Sequence, residues 1–298
     1  MNAIRLVHIS DVHVTTRSRW RMRDVFSKRL TSWVNLRVRG RARHFPHTGP
    51  QLAALQRDLV CRPADAIVFS GDSTALGFRE EIESAADQLG VRRDDLPPGL
   101  AVPGNHDYLT PAAERSGHFE VAFAPWQHGE RIDEHRYPFA RKVGPAWLVA
   151  VNSCVGNVLP QDARGRVGAA QLGRLERLLA TLDGGPRILV THYPICRADG
   201  TPERRFHALR DVAELVRVAE AGKVSLWLHG HRHDHYTLTP PGCSFPVICA
   251  GSTTQHGSEG YFEYVLDGFQ LEAISHRYDP AAAKFSVGRK FTLELPER

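Results

Sequence analysis

No apolar run in the 298-residue sequence is long enough to cross a bilayer. The longest unbroken one, Ala146 to Val151, falls far short of the roughly 20 residues a spanning helix needs. The start shows no basic region followed by a long apolar stretch, because Met1 leads straight into Ile4-Arg5-Leu6-Val7-His8-Ile9, which reads as a strand. The five cysteines (Cys61, Cys154, Cys196, Cys243, Cys249) are odd in number, scattered, and without a Cys-x-x-Cys pair, so neither a disulfide framework nor a thiolate zinc site is indicated. A reducing cytoplasm is the expected location, with a peripheral place at the inner membrane surface as the alternative. Linkers rich in Pro, Gly and Ser, low-complexity stretches and solenoid-period repeats are also missing, so the sequence reads as one domain over residues 1–298. What is present is 42% hydrophobic and 24% charged residues, enough for a substantial core, together with 16 histidines.

Acidic residues are scarce in one segment. From Arg17 to Arg43 the sequence sets Arg17, Arg19, Arg21, Arg23, Lys28, Arg29, Arg37, Arg39, Arg41 and Arg43 against Asp24 alone, so the net charge of +5 resides here and the rest of the chain is acidic. Met22, Val25, Phe26, Leu30, Trp33 and Val34 recur at three- and four-residue intervals, which predicts an amphipathic helix inside an insertion at about residues 15–48. One reading packs the apolar stripe on the domain and leaves a solvated arginine face. The other makes the segment a partner site for an anionic membrane surface, a lipid substrate or a nucleic-acid backbone.

Elsewhere helices alternate with strands. Helices are expected from Gly49-Pro50 to about Val60, near Arg79 to Leu89, from about Ala169 to Leu182 and near Arg205 to Ala219. Strands are expected at Ala66–Phe69, Leu100–Val102, Tyr137–Lys142, Ala146–Val151, Arg187–Thr191 and Val224–Leu228. That alternation predicts an α/β architecture. From Tyr236 onward the helical pattern stops, and Phe245–Ala250, Tyr261–Leu266, Gln270–His276 and Lys290–Leu295 read as strands, so residues 236–298 are expected to belong to a second sheet.

Polar residues gather where the apolar runs end. Leu6 to Ile9 leads to Asp11 and His13, Ala66 to Phe69 to Gly71-Asp72, and Leu100 to Val102 to Gly104-Asn105-His106-Asp107. Ile188 to Val190 leads to His192, and Leu226 to Leu228 to Gly230-His231-Arg232-His233. In an open α/β sheet the carboxyl ends of the strands define the binding crevice, so these groups can converge. Asp11 and His13, like His231 and His233, sit two apart, which in extended chain would put both side chains on one face. Gly71, Gly104 and Gly230 would let the backbone turn sharply and approach a bound ion. Carboxylate, imidazole and amide without thiolate suit manganese, iron or zinc. Seven donors exceed the needs of one catalytic ion, and two ions about 3.5 to 4 Å apart, sharing a carboxylate, would use them. Two divalent cations against two aspartates and a hydroxide leave an excess of positive charge, which attracts an anionic phosphoryl group.

The blocks Asp11-Val12-His13, Gly71-Asp72, Gly104-Asn105-His106-Asp107, Thr191-His192 and Gly230-His231-Arg232-His233, in this order, resemble the calcineurin-like metallophosphoesterase superfamily, in its bacterial-type phosphodiesterase branch. The resemblance implies a four-layer α/β/β/α sandwich with two mixed sheets. It implies that Asp11, His13 and His233 hold one ion, that Asn105, His192 and His231 hold the other, and that Asp72 bridges them. It also implies that a metal-bound hydroxide attacks phosphorus while His106 stabilises the transition state or protonates the leaving oxygen.

For Asp107 the sequence leaves open a partner of the ligands or a turn residue. His8, His229 and His235 read as core or supporting groups, Arg232 as pointing away from the ligands on either side of it, and Cys196 as a buried small residue. Protein phosphatases of this superfamily extend the second block to Gly-Asp-x-x-Asp-Arg-Gly, whereas this chain has Gly71-Asp72-Ser73-Thr74-Ala75-Leu76-Gly77. The expected activity is therefore hydrolysis of a small phosphodiester, a 3′,5′-cyclic nucleotide among the candidates. The alternatives are a lipid-linked pyrophosphatase similar to the UDP-diacylglucosamine hydrolases and a nuclease. A non-catalytic scaffold is disfavoured because every ligand position is filled. The oligomeric state is left open.

Overall fold

Consecutive residues of the first two strands face opposite ways, and both faces are buried. In β1 (Ile4–Ile9) Leu6 joins one apolar cluster and Val7 and Ile9 another, and in β2 (Ala66–Phe69) Val68 and Phe69 divide in the same way. A strand covered on both faces has no polar side to show, which is why these runs are almost wholly apolar. The computed structural model describes residues 3–38 and 40–297. Arg39 of the basic segment, and the side chain of Arg41, lie outside the described residues.

Between β1 and β2 lie α1 (Met22–Val25), α2 (Lys28–Arg37) and α3 (Thr48–Cys61). Then follow α4 (Arg79–Leu89), β3 (Gly99–Ala101), α5 (Pro111–Ser116), α6 (His118–Ala122), β4 (Phe139–Val143), β5 (Ala146–Ala150) and α7 (Ala169–Thr181). The chain continues through β6 (Arg187–Val190), α8 (Val212–Ala221), β7 (Leu226–His229), β8 (His235–Leu238) and β9 (Val247–Ala250). It closes with β10 (Gly260–Asp267), β11 (Gln270–Asp279) and β12 (Lys284–Glu294).

Two mixed six-stranded sheets result, ordered β12-β11-β10-β1-β2-β3 and β4-β5-β6-β7-β9-β8. Leu6, Val68 and Leu100 of the first meet Leu148, Ile188 and Leu226 of the second in a shared apolar layer. On the outer faces, Leu52 and Leu55 of α3 and Ile82 of α4 pack with Ile9 and Phe69, while Leu175 of α7 and Leu215 of α8 pack with Val149 and Trp227. This is the expected α/β/β/α sandwich. The parallel pairs β1–β2, β2–β3, β5–β6, β6–β7 and β7–β9 set their carboxyl ends toward one edge of the two sheets, where the site forms.

Three expectations are corrected. Only β8 and β9 of the C-terminal strands lie in the second sheet. β10 pairs antiparallel with β1, Leu6 opposite Tyr264, and carries β11 and β12 onto the first sheet. Phe262, Tyr264 and Leu266 of β10 fill the layer between the sheets, an alternation that would fit the edge of either one. The helix expected near Arg205 starts only at Val212, because residues 205–211 run as turns toward the bridge between Gly165 and Leu209.

The third correction concerns the insertion, where Leu30 and Val34 of the expected stripe are half-buried but Met22, Val25 and Phe26 face outward. The helix breaks at Phe26-Ser27, and Ser27 caps α2 by accepting from the Arg29 N–H. Met22 and Phe26 are 72% and 83% exposed, while Lys28 and Arg29 are buried. Arg29 donates to Leu76 O at 2.9 Å and Gly77 O at 2.8 Å, pairs with Asp24, and lies over the Phe78 ring at 4.1 Å. Those partners satisfy a cation that the interior otherwise rejects.

Candidate metal centre

Five of the seven proposed donors leave their strands in a conformation that side chains rarely adopt. Asp11, His13, Asp72, His231 and His233 have φ between 45° and 70°, and only two other described non-glycine residues, Lys223 and Ala283, have positive φ. Asp11 and His13, and His231 and His233, therefore do not share an extended backbone as the spacing had suggested. Left-handed turns aim them instead. Strain concentrated on one cluster marks a functional constraint, because the surrounding structure must hold each residue there.

Hydrogen bonds hold these turns. Asp11 N donates to Gly71 O at 2.9 Å and His13 N to Asp72 O at 3.1 Å, which ties the ends of β1 and β2 together. A Cβ on Gly104 would stand 2.1 Å from Asp72 N and Oδ1, and one on Gly230 would stand 2.4 Å from Asp11 Oδ2. Both positions require glycine for close approach.

The donors form two groups meeting at Asp72. His13 Nε2 lies 3.1 Å from His233 Nε2, and Asp11 Oδ1 lies 3.0 Å from His233 Nε2 and 3.7 Å from His13 Nε2. Asn105 Oδ1 lies 3.1 Å from His192 Nε2 and 2.9 Å from His231 Nδ1. Asp72 Oδ2 reaches both groups, 3.7 Å from His13 Nε2 and 3.5 Å from His192 Nε2.

The chemistry of this set fits cations. His13 Nδ1 donates to Thr74 O at 3.1 Å, His192 Nδ1 to Ser70 O at 2.8 Å, and His233 Nδ1 to the Gln255 side-chain oxygen. Each proton is thus committed outward, and each Nε2 turns a lone pair into the shared space. Asp11 Oδ1 is buried without a hydrogen bond of acceptable angle. Ligands about 2.1 Å from one ion stand roughly 3.0 to 3.4 Å from one another; the separations within the two groups are 2.9 to 3.3 Å, apart from Asp11 to His13 at 3.7 Å. Asp11, His13, Asp72 and His233 could hold one metal ion, their ligand atoms all lying within 4.8 Å of one another.

Electrostatics favour the ligating forms. Burial lowers the pKa of His192, and burial followed by the charges of His192 and His207 lowers that of His231, so both imidazoles are neutral. Burial pushes the Asp11 carboxyl up, but His233 and its other neighbours hold it below its ordinary value.

His106 lies at the same edge. Its N–H donates to Asp72 Oδ1 at 2.7 Å, its Nδ1 to Ala75 O at 2.8 Å, and its ring stands edge-on 5.0 Å from that of His13. Asp107 accepts from Ser73 Oγ at 2.5 Å, Thr74 N at 3.1 Å and Gly104 N at 2.8 Å, so it clasps the two loops that carry Asp72 and Asn105. Burial and then the charge of Asp72 push its carboxyl up to about 7.

His8 bonds Tyr264 and Ser70, with burial driving its pKa down to about 3, and His229 and His235 are held neutral at about 4 by burial. Arg232 pairs with Glu203 at 3.3 Å, and Cys196 is buried.

Several neighbours escaped sequence reasoning. Phe45, from the insertion, stands 4.7 Å from the His13 ring and 6.0 Å from that of His233, while Tyr193 lies 4.5 Å from the His231 ring. Lys28 donates from Nζ to Asp162 O at 2.6 Å; burial pushes its ammonium down to about 8, against the pull of Asp162 and Asp72. Gln255 had a usable signal, because Ser252-Thr253-Thr254-Gln255 is a polar run directly after an apolar strand, as at the other donors.

Two facing sheets with a doubled set of nitrogen and oxygen donors at their carboxyl edge define a metal-dependent phosphoesterase architecture. The calcineurin-like phosphoesterase family profile matches residues 4–235, a stretch that contains all seven donors and His106. The chain belongs to the calcineurin-like phosphoesterase family, a family of binuclear-metal phosphoester hydrolases.

Solved structures share the fold. The purple acid phosphatase PPD1 from yellow lupin (Lupinus luteus) seeds superposes with a TM-score of 0.67 at 14% identity, over 98% of this chain and 54% of that one. The chain thus spans about half the length of the lupin protein. A dimetal phosphatase from Danio rerio gives 0.68 at 13% identity over 99% and 100% of the two chains. GAP50, the anchor in the inner membrane complex of Plasmodium, gives 0.54 at 11% over 100% and 90%. Comparison with curated protein sequences finds no match. Among the described residues, no helix is long and apolar enough to cross a membrane.

Proposed function

We propose that the chain hydrolyses a phosphodiester at the centre that joins Asp11, His13 and His233 to Asn105, His192 and His231 through Asp72. The observation that carries this reading is the position of Asp72, whose Oδ2 faces a histidine of each group at 3.7 and 3.5 Å. Two divalent cations bound there supply positive charge for the phosphoryl oxygens and lower the pKa of a water from ~16 toward ~7. Manganese, iron and zinc all suit the donor set.

The protein's own groups orient and finish the reaction. The His106 Nδ1 proton is committed to Ala75 O, so the proton for the leaving oxygen comes from Nε2 of the imidazolium, the form that carries a proton on both ring nitrogens. Phe45, half-buried beside His13, offers a substituent on phosphorus an apolar wall, while Tyr193, fully buried, backs the His231 ring from inside the domain. A second block without the Asp-Arg-Gly of the protein phosphatases supports a small diester. Among small diesters a 3′,5′-cyclic nucleotide is the first candidate. Lipid-linked pyrophosphate is a second reading, favoured by the exposed Met22 and Phe26 among the arginines of the insertion.

The test compares kcat/KM of manganese-loaded protein for bis(p-nitrophenyl) phosphate, p-nitrophenyl phosphate and 3′,5′-cyclic AMP, with Asp72→Ala as the blank. Faster turnover of the diesters is expected. A preference for the monoester would overturn the assignment to diesters.

A further inference from the structure

The outer face of the insertion is built the opposite way from an ordinary surface helix. Its polar side chains Asp24, Lys28 and Arg29 turn inward, while Met22, Phe26 and Val38 stand 72%, 83% and 72% exposed. Around them Arg17, Arg19, Arg21, Arg23 and Arg37 are exposed. The one acid of the segment, Asp24, is buried and paired with Arg29, so no exposed acid between residues 17 and 38 offsets these arginines.

We propose that this face docks on an anionic membrane surface. Exposed apolar side chains ringed by arginine fit a bilayer interface, where the apolar groups enter the acyl boundary and the guanidinium groups meet the anionic headgroups. A nucleic-acid backbone would take the same arginines, and Phe26, Trp20 and Trp33 are exposed for stacking on bases; Met22, Val25 and Val38 are aliphatic, and their exposure finds a use only at an apolar boundary. A second copy of this chain would bring the same positive charge against itself.

The face is coupled to the metal centre through the chain between them. Lys28, two residues after Phe26, fastens α2 to Asp162, and the loop of Asp162 holds Val158 and Leu159 exposed. Phe45, at the other end of the insertion, packs on His13. One insertion thus carries both the docking face and Phe45 of the centre, and the matching substrate is a phosphoester presented by an amphiphile held in the membrane. This consequence rests on the hydrolase reading; the docking does not.

Sedimentation with vesicles tests it, using the full metal-loaded chain. The probes are vesicles of phosphatidylcholine alone and of phosphatidylcholine with phosphatidylglycerol at 3:1, at low and high salt. The chain is expected to sediment with the anionic vesicles at low salt and to be released at high salt. The double variant Met22→Ser/Phe26→Ser, both positions exposed and outside the metal centre, should bind at least about tenfold more weakly. It should hydrolyse bis(p-nitrophenyl) phosphate as the parent does. Failure to sediment, equal binding of the double variant, or equal binding to both vesicles would overturn the proposal. Tighter binding to a fluorescent single-stranded oligonucleotide, or a dimer that the variant abolishes, would also overturn it. Vesicle binding by a chain that cleaves no diester would leave docking standing and remove the proposed function.

Discussion

The backbone N–H of His106 donates to Asp72 Oδ1 at 2.7 Å, while the other oxygen of the same carboxylate faces both donor groups. One carboxylate thus fixes the loop that carries the proposed proton donor and stands where a shared ligand must stand. Position and chemistry are linked, so damage to either residue should be separable by measuring metal and turnover independently.

His106→Ala should keep the metal content and lower turnover about 100-fold, the loss expected for a general acid. The side chain is removed, but the backbone bond to Asp72 remains. Metal analysis beside kcat checks this. Unchanged kcat would show that His106 takes no part in the chemistry, and loss of metal would show that it acts as a ligand.

Gly104→Ala tests the close packing of the two loops. The added Cβ would fall 2.1 Å from both the backbone nitrogen and Oδ1 of Asp72, so the carboxylate must move. A displacement near 1 Å costs about 100-fold in rate. We expect that loss of kcat/KM with weaker metal retention in dialysis, and a variant with parental kinetics would show that Asp72 needs no such precision.

Much of the centre was legible because each donor follows an apolar strand. That placement alone predicts convergence at one edge, and it holds for Asp11, Asp72, Asn105, His192 and His231. The reach of β10 to β1 was not legible, because the alternation of Phe262, Tyr264 and Leu266 suits either sheet. The burial of Lys28 and Arg29 was not legible either. Their partners, Asp162 O and the carbonyls of Leu76 and Gly77, are backbone atoms far along the chain, and helical periodicity carries no record of them.

Glu81→Gln should change how stability depends on pH. Glu81 Oε2 accepts from Leu76 N at 2.9 Å and Oε1 is buried without a partner; burial raises the carboxyl to about 7 from an ordinary 4.5. Between those values the folded protein holds a proton that the unfolded chain releases. This contribution to stability is full below about pH 4.5 and is lost as pH rises through about 7. Glutamine removes it, so the melting temperature of the variant relative to the parent should rise from pH 5 to pH 8, by roughly 5 °C. A difference that does not vary with pH would contradict the assignment.

The most direct measurement is the metal content of the purified protein and of Asp72→Ala by elemental analysis, with diester hydrolysis measured on the same samples. Two ions per parent chain are expected, with loss of the pair and of activity in Asp72→Ala. A variant that retained two ions and parental turnover would show that Asp72 is not the ligand joining the two groups, and the account of the centre would fail.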